Sequence, residues 1–151
     1  MTRLDPHDSD FEGRVRASFA RQQVMQTIGA TLTLVEPGVV EIELPYRAEL
    51  TQQHGFIHAG IVASILDSAC GYAAFSLMPA DAAVLSIEFK VNLLAPAKGE
   101  LIRARAEVKR AGKTVTVCTA DAWAVEAGQS KIVATMLATM MCIRERGNLI
   151  G

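Results

Sequence analysis

Asp67 is the only charged residue between His58 and Asp81, and it stands in the middle of a run of apolar and small residues from Ala59 to Met78. Burying a carboxylate without partners is costly, so such a group is either hydrogen-bonded, held protonated, or open to a cleft. Two uses fit these conditions. It is a rigid anchor tied to backbone or serine groups, or it is a general base or nucleophile placed where a ligand reaches it. Helical spacing places Gly60, Ala63, Ser64, Cys70, Gly71 and Ala74 on Asp67's side, which predicts a channel lined by small groups. The run begins near His58-Ala59-Gly60. There the first backbone N–H groups of a helix lack intrahelical acceptors and the macrodipole favours negative charge, a suitable place to polarise a carbonyl oxygen.

The other reactive side chains read more plainly. His54 and His58 sit in a polar loop, where histidine more often braces the chain through hydrogen bonds than acts as a base. Ser64, in Gly60-Ile61-Val62-Ala63-Ser64, is not part of a Gly-x-Ser-x-Gly elbow, and no triad spacing follows it, so a serine hydrolase is rejected. Cys70, Cys118 and Cys142 are odd in number and show no CxxC or Cys/His ligand spacing. They are expected to be buried thiols in a reducing compartment, and no metal site is expected.

The elements that must position Asp67 follow from periodicity. Phe11 to Met25 carries apolar residues every three to four positions and predicts one amphipathic helix. Thr31–Val35 and Val39–Leu44 flank Glu36-Pro37-Gly38, a turn tripeptide, and read as a hairpin ended by Pro45. A polar loop, Tyr46 to Gln53, leads to a helix from about His58 to Met78, stopped by Pro79. This helix is apolar nearly all round and spans roughly 30 Å at about 1.5 Å per residue, so a broad element must enclose it.

That element lies downstream. Leu85, Ile87, Phe89, Val91 and Leu93 alternate with Ser86, Glu88, Lys90 and Asn92, the pattern of a half-buried strand. Ile102–Lys109, Thr114–Val125 and Ile132–Ile143 are three more strands joined by short turns. The small residues Cys118, Ala120, Ala122 and Ala124 on one face admit a closely packed helix. The expected class is α+β, an antiparallel sheet of about six strands wrapped around one long central helix, in a single domain over residues 1–151. Residues 1–27 form its N-terminal tail and helix.

Composition narrows the partners. Half of the 151 residues are hydrophobic and 21% are charged, a globular balance. The net charge of -1 gives no broad phosphate-binding surface, so no nucleic acid is expected. Met1 to Arg14 has no secretory pattern. A central Asp would cost about 2.5–3.5 kcal/mol on membrane insertion, so no membrane association is expected and the location is cytoplasmic.

The stretch Gln52-Gln53-His54-Gly55-Phe56-Ile57-His58-Ala59-Gly60, followed by Asp67, resembles the Asn/Gln-x-x-Gly-x-x-His-Gly-Gly and downstream Asp signature of PaaI-type hotdog thioesterases. Ser86 and the later Pro96-Ala97-Lys98-Gly99 also fit, and the likeness covers roughly Thr31 to Ile143. It implies a hotdog fold and hydrolysis of an acyl-CoA thioester. Asp67 would be general base or nucleophile, and the Ala59 N–H would donate to the thioester oxygen. Gln52 would hold water or the carbonyl, His58 would brace the loop, and Ser86 would contact water or substrate.

In this family the Asp acts on a thioester held at the other subunit's helix start, so a homodimer or a dimer of dimers is implied. Ala59 replaces the usual first Gly of the triplet; its N–H survives, while the room beside the thioester changes. Gly60 and Ser64 are expected beside the substrate. Lys90, Arg110 and Lys113 are candidates for the CoA phosphates, with Lys98 also considered. No cofactor is implied, since coenzyme A enters as part of the substrate. Two alternatives stand beside hydrolysis: a hotdog enoyl-thioester hydratase or dehydratase, whose relatives pair a His with an acid, and a module that binds acyl-CoA without cleaving it.

Overall fold

The computed structural model describes residues 4–145 and 147–151; residues 1–3 of the expected tail, and Arg146, lie outside the described residues. Two helices, α1 (Phe11–Arg21) and α2 (Gln23–Ile28), precede the hairpin β1 (Thr31–Glu36) and β2 (Val39–Pro45). The long helix α3 (Ala59–Phe75) follows, then β3 (Ala83–Leu93), β4 (Leu101–Ala111), β5 (Val115–Glu126) and β6 (Gln129–Ile143). The strands form one six-stranded antiparallel sheet in the order β1-β2-β4-β5-β6-β3, which leaves β1 and β3 at its edges.

The sheet curls around α3. Val62, Ile65, Leu66, Ala69 and Ala73 of the helix are buried, as are Ala104 and Ala106 on β4, Cys118, Ala120 and Ala122 on β5, and Ala134 and Ala138 on β6. These small side chains let the helix lie close to the central strands, as the sequence pattern predicts. Among the described residues, no helix is long and apolar enough to cross a membrane.

The single N-terminal helix expected over Phe11–Met25 is instead two. Gln22 breaks it in an extended conformation, φ -78° and ψ 94°. Val15, Met25 and Ile28 are all buried. At about 100° per residue, an unbroken helix would turn Ile28 roughly 140° away from Val15, so the break re-aims the second turn at the core. Gly29, at φ 78°, then closes α2.

Helix α3 ends at Phe75 rather than near Met78. Ser76 Oγ donates to Ala73 O at 2.7 Å and accepts from the Gly38 N–H of the β1–β2 turn at 2.8 Å. Arg14 from α1 donates to Phe75 O at 3.0 Å, to Met78 O at 2.7 Å, and to Pro79 O. Its Nε lies 3.2 Å from Asp8 Oδ2 as an ion pair without hydrogen-bond geometry, and its guanidinium covers the Phe75 ring 4.3 Å from the centroid. One cation thus takes the carbonyls that every helix C-terminus leaves unpaired.

Strand β3 departs from the half-buried expectation. Leu85, Ile87, Phe89 and Leu93 are 45–57% exposed. A bulge at Ile87 changes their facing: Ser86 pairs with Met140 and Glu88 with Thr139, so Ile87 has no opposite residue on β6. Strict alternation puts Ser86 on the face of Glu88, Lys90 and Asn92. The bulge turns it to the helix side instead.

Candidate active site

Asp67 lies half-buried on α3, on the one stripe of the helix that the sheet leaves uncovered. Gly60, Ala63, Ser64 and Gly71 share this stripe, and all are partly or fully exposed. Cys70 and Ala74, expected beside Asp67, are fully buried against the sheet. Thus α3 is not apolar and enclosed all round, and the channel is narrower than helical spacing predicts.

The inward turn of Ser86 brings its hydroxyl to Asp67, where it donates to Oδ1 at 2.7 Å while lying 3.4 Å from Met140 Sδ. The second oxygen, Oδ2, has no partner among the described residues. It is free to accept a proton from an incoming group.

At the helix start, His58 is the N-cap: its Nδ1 accepts from the Gly60 N–H at 2.8 Å. Ile61 and Val62 donate to His58 O. The Ala59 N–H alone of this first turn has no acceptor among the described residues. It therefore remains available to a ligand oxygen, whereas the Gly60 N–H is committed. The loop is itself fixed by Ile57 N to Ala97 O and His58 N to Leu50 O, at 2.8 and 2.9 Å. Gln52 Oε1 accepts from the His54 N–H, leaving its Nε2 donor without a partner among the described residues. Ala59 and Gln52 line a cavity of about 390 Å³ with Phe56, Leu93, Leu94 and Pro96.

Asp67 and Ser86 open into a different cavity, of about 310 Å³, shared with Ser18, Gln22, Ser68 and Tyr72. Within one chain the acidic and amide halves of the expected site are therefore apart. Eight residues of helix separate Asp67 from Ala59, roughly 12 Å at 1.5 Å each.

Ser64 donates to Gly60 O at 2.8 Å, an internal bond of the helix. Lys90 is on the outer face and donates to Asn92 Oδ1 at 3.1 Å. Arg110 also faces outward, opposite Val117 after a second bulge at Lys109. Lys113 lies in the β4–β5 turn and lines a cavity with Ala74, Leu77 and Arg144 at the far end of α3. The structure does not bring these cations together with Ala59 of the same chain.

The model of the thioesterase superfamily matches residues 54–131, more than half of the chain. The chain belongs to this superfamily. It is 56% identical to a thioesterase family protein from Silicibacter pomeroyi, with a TM-score of 0.88, covering 89% of this chain and 99% of that one. The PaaI protein of the E. coli phenylacetic acid degradation operon is 20% identical, with a TM-score of 0.80 over 91% and 96% of the two chains, and shares the fold.

A candidate esterase of Halobacterium salinarum is 35% identical over 99 residues, 62% of this chain. The match spans 65% of that relative, less than two thirds of its length. The architecture is accordingly the hotdog thioesterase fold.

Sequence reasoning missed Gln22, Ser18, Ser68 and Tyr72 around Asp67. Burial pushes the Tyr72 phenol up, against a smaller opposing effect of its contact with Ser18, so it faces the cavity as a neutral hydroxyl. The unequal spacing of Val15, Met25 and Ile28 was the available signal for the break that delivers Gln22.

Proposed function

We propose that this thioesterase-superfamily member hydrolyses an acyl-CoA thioester, aryl or of short to medium chain, in the cytoplasm as a homodimer or a dimer of dimers. Asp67 Oδ2 takes a proton from water as the water oxygen bonds to the thioester carbon. The oxyanion is held by the Ala59 N–H of the partner copy, with Gln52 Nε2 beside it. As the oxyanion collapses, the C–S bond breaks, and the thiolate of coenzyme A leaves with the proton from Asp67. Ser86 fixes the carboxylate through Oδ1, and His58 keeps the helix start open by capping Gly60 rather than Ala59.

The observation that carries this reading is the coexistence of a carboxylate oxygen and an amide, both unpartnered among the described residues, on one helix but too far apart to act on the same carbonyl. A second copy brings them together. Strand β3 supports it, since a long edge strand with exposed Ile87, Phe89 and Leu93 is unfavourable in water unless paired. Lys90, Arg110 and Lys113 then remain candidates for CoA phosphates reaching across the pair.

Asp67→Asn tests the assignment. Released thiol from phenylacetyl- and hexanoyl-CoA should fall at least about a hundredfold, with the melting temperature and oligomeric state retained. Wild-type turnover in a folded variant would refute it.

A further inference from the structure

Leu149, Ile150 and Gly151 wall the Asp67 cavity together with groups from α1, α3 and the start of β3. The same three residues wall a neighbouring cavity, also of about 310 Å³, whose other sides are Arg14, Ala80, Asp81 and Ala82. The segment is therefore a partition. Lifting it would join the two hollows into one channel that opens beside Asp67.

Little holds the partition in place. Residues 147–151 form no helix or strand, and among the described residues one hydrogen bond ties them to the rest of the protein, from Arg21 Nη2 to Gly151 O. Ile150 is 87% exposed and contributes almost no packing. Gly151 is the seated point: a side-chain carbon there would lie 2.5 Å from Ala82 O and from two ring carbons of Phe75, so a larger residue cannot occupy the same seat. A segment with so few contacts opens at small cost.

The chemistry of its one bond gives the opening a direction. A guanidinium bonds a carboxylate roughly twice as strongly as a neutral carbonyl. The thioester brings no carboxylate to the Asp67 side, but hydrolysis makes one. Once ionised, the acid is repelled by Asp67 and competes with Gly151 O for Arg21. The charge of Arg21 already reaches the cavity: burial raises the Tyr72 phenol, and the contact with Ser18 and then Arg21 oppose that rise.

We infer that residues 149–151 form an exit gate for the free acid, held shut by the Arg21 contact to Gly151 O and opened when the product carboxylate takes that guanidinium. Coenzyme A departs from the partner's helix start, where the thioester was held, and the acid departs past the lifted segment. This rests on Asp67 being the hydrolytic carboxylate.

With release through the gate slower than hydrolysis, rapid mixing with excess phenylacetyl-CoA should give a burst of free thiol approaching one per Asp67, then slower steady turnover. Gly151→Val pushes the segment off Ala82 and Phe75, and Arg21→Met removes its hydrogen bond. Each should abolish the burst and raise kcat about threefold or more, with the single-turnover rate unchanged; melting curves establish that each variant is folded. Arg16→Met, on the same helix but exposed and paired with Glu12, should keep the burst. A linear time course in the wild type, a burst that survives in either Gly151→Val or Arg21→Met, or one lost in Arg16→Met as well overturns the inference and leaves hydrolysis standing. Failure to release thiol from any thioester overturns both.

Discussion

Replacing Ala59 by proline deletes one N–H that the fold does not use. Ala59 is the first residue of α3, where the amide has no intrahelical acceptor and proline is well tolerated. His58, before it, already holds φ -58° and ψ 136°, the extended backbone that proline imposes on its predecessor. Folding stability should therefore change by less than about 1 kcal/mol. Catalysis should not escape so lightly: removing one oxyanion donor typically lowers kcat about 10²- to 10³-fold, or about 2.7–4 kcal/mol.

The separation of roughly 12 Å between Ala59 and Asp67 adds a sharper consequence. If each site takes its amide from one copy and its carboxylate from the other, Ala59→Pro and Asp67→Asn complement each other. Equal amounts refolded together pair at random, so about half of the dimers are mixed, and a mixed dimer has one doubly damaged site and one with neither substitution. Thiol release should rise to about one quarter of the wild-type rate per chain, from about 1% or less for either parent alone. Mixed dimers are verified by mass with one parent tagged. If they form and activity stays at the average of the parents, amide and carboxylate act within a single chain and the split-site reasoning fails.

Three further outcomes follow from the same structure. Arg14→Met strips the cation from Phe75 O, Met78 O and Pro79 O and leaves Asp8 without its ion-pair partner, so urea unfolding should show a loss of about 3 kcal/mol. A loss below about 1 kcal/mol would mean that water serves those carbonyls equally well. Phe89→Arg places a charge on the exposed helix-facing side of β3 and should shift sedimentation towards monomer, with activity lost in parallel; an unchanged sedimentation coefficient would move the interface elsewhere.

Burial raises the Cys118 thiol to about 12, and burial, with smaller effects from Cys118 and Asp67, raises Cys70 further. The unfolded chain releases these protons from near pH 9 while the folded protein keeps them. Stability from this source is complete below about pH 9 and declines towards pH 12, by up to about 1.4 kcal/mol per unit for each thiol. Denaturant midpoints for Cys118→Ala should show a shallower alkaline decline than wild type, and identical slopes would exclude the thiol as a cause.

Several parts of this molecule were legible because the cause of each pattern lies within the chain. The alternation of Ile102, Ala104, Ala106 and Val108 reports a face pressed on α3, and those side chains are buried as expected. Asp67 was legible because a lone charge in an apolar run has few explanations. The position of Ser86 was not, because the bulge at Ile87 is set by register against β6 some fifty residues later, and no local residue type announces it. Gln22 was hidden for a related reason: the helix breaks there to aim Met25 and Ile28 at a core assembled by distant strands.

The apolar period of β3 is the instructive disagreement. Periodicity records what a side chain faces in the functional protein, whereas these exposures are those of a single chain. Phe89 and Leu93 keep the pattern of buried residues while about half of each surface is open. The same side of the molecule carries the uncovered stripe of α3, with Asp67 in its centre and the unpaired Ala59 amide at its end. An edge built to be covered and a site divided between two cavities are independent features, one of packing and one of chemistry. The proposed second copy, laid along β3, would answer both, which is why loss of pairing by Phe89→Arg and recovery of turnover by mixed refolding should stand or fall together.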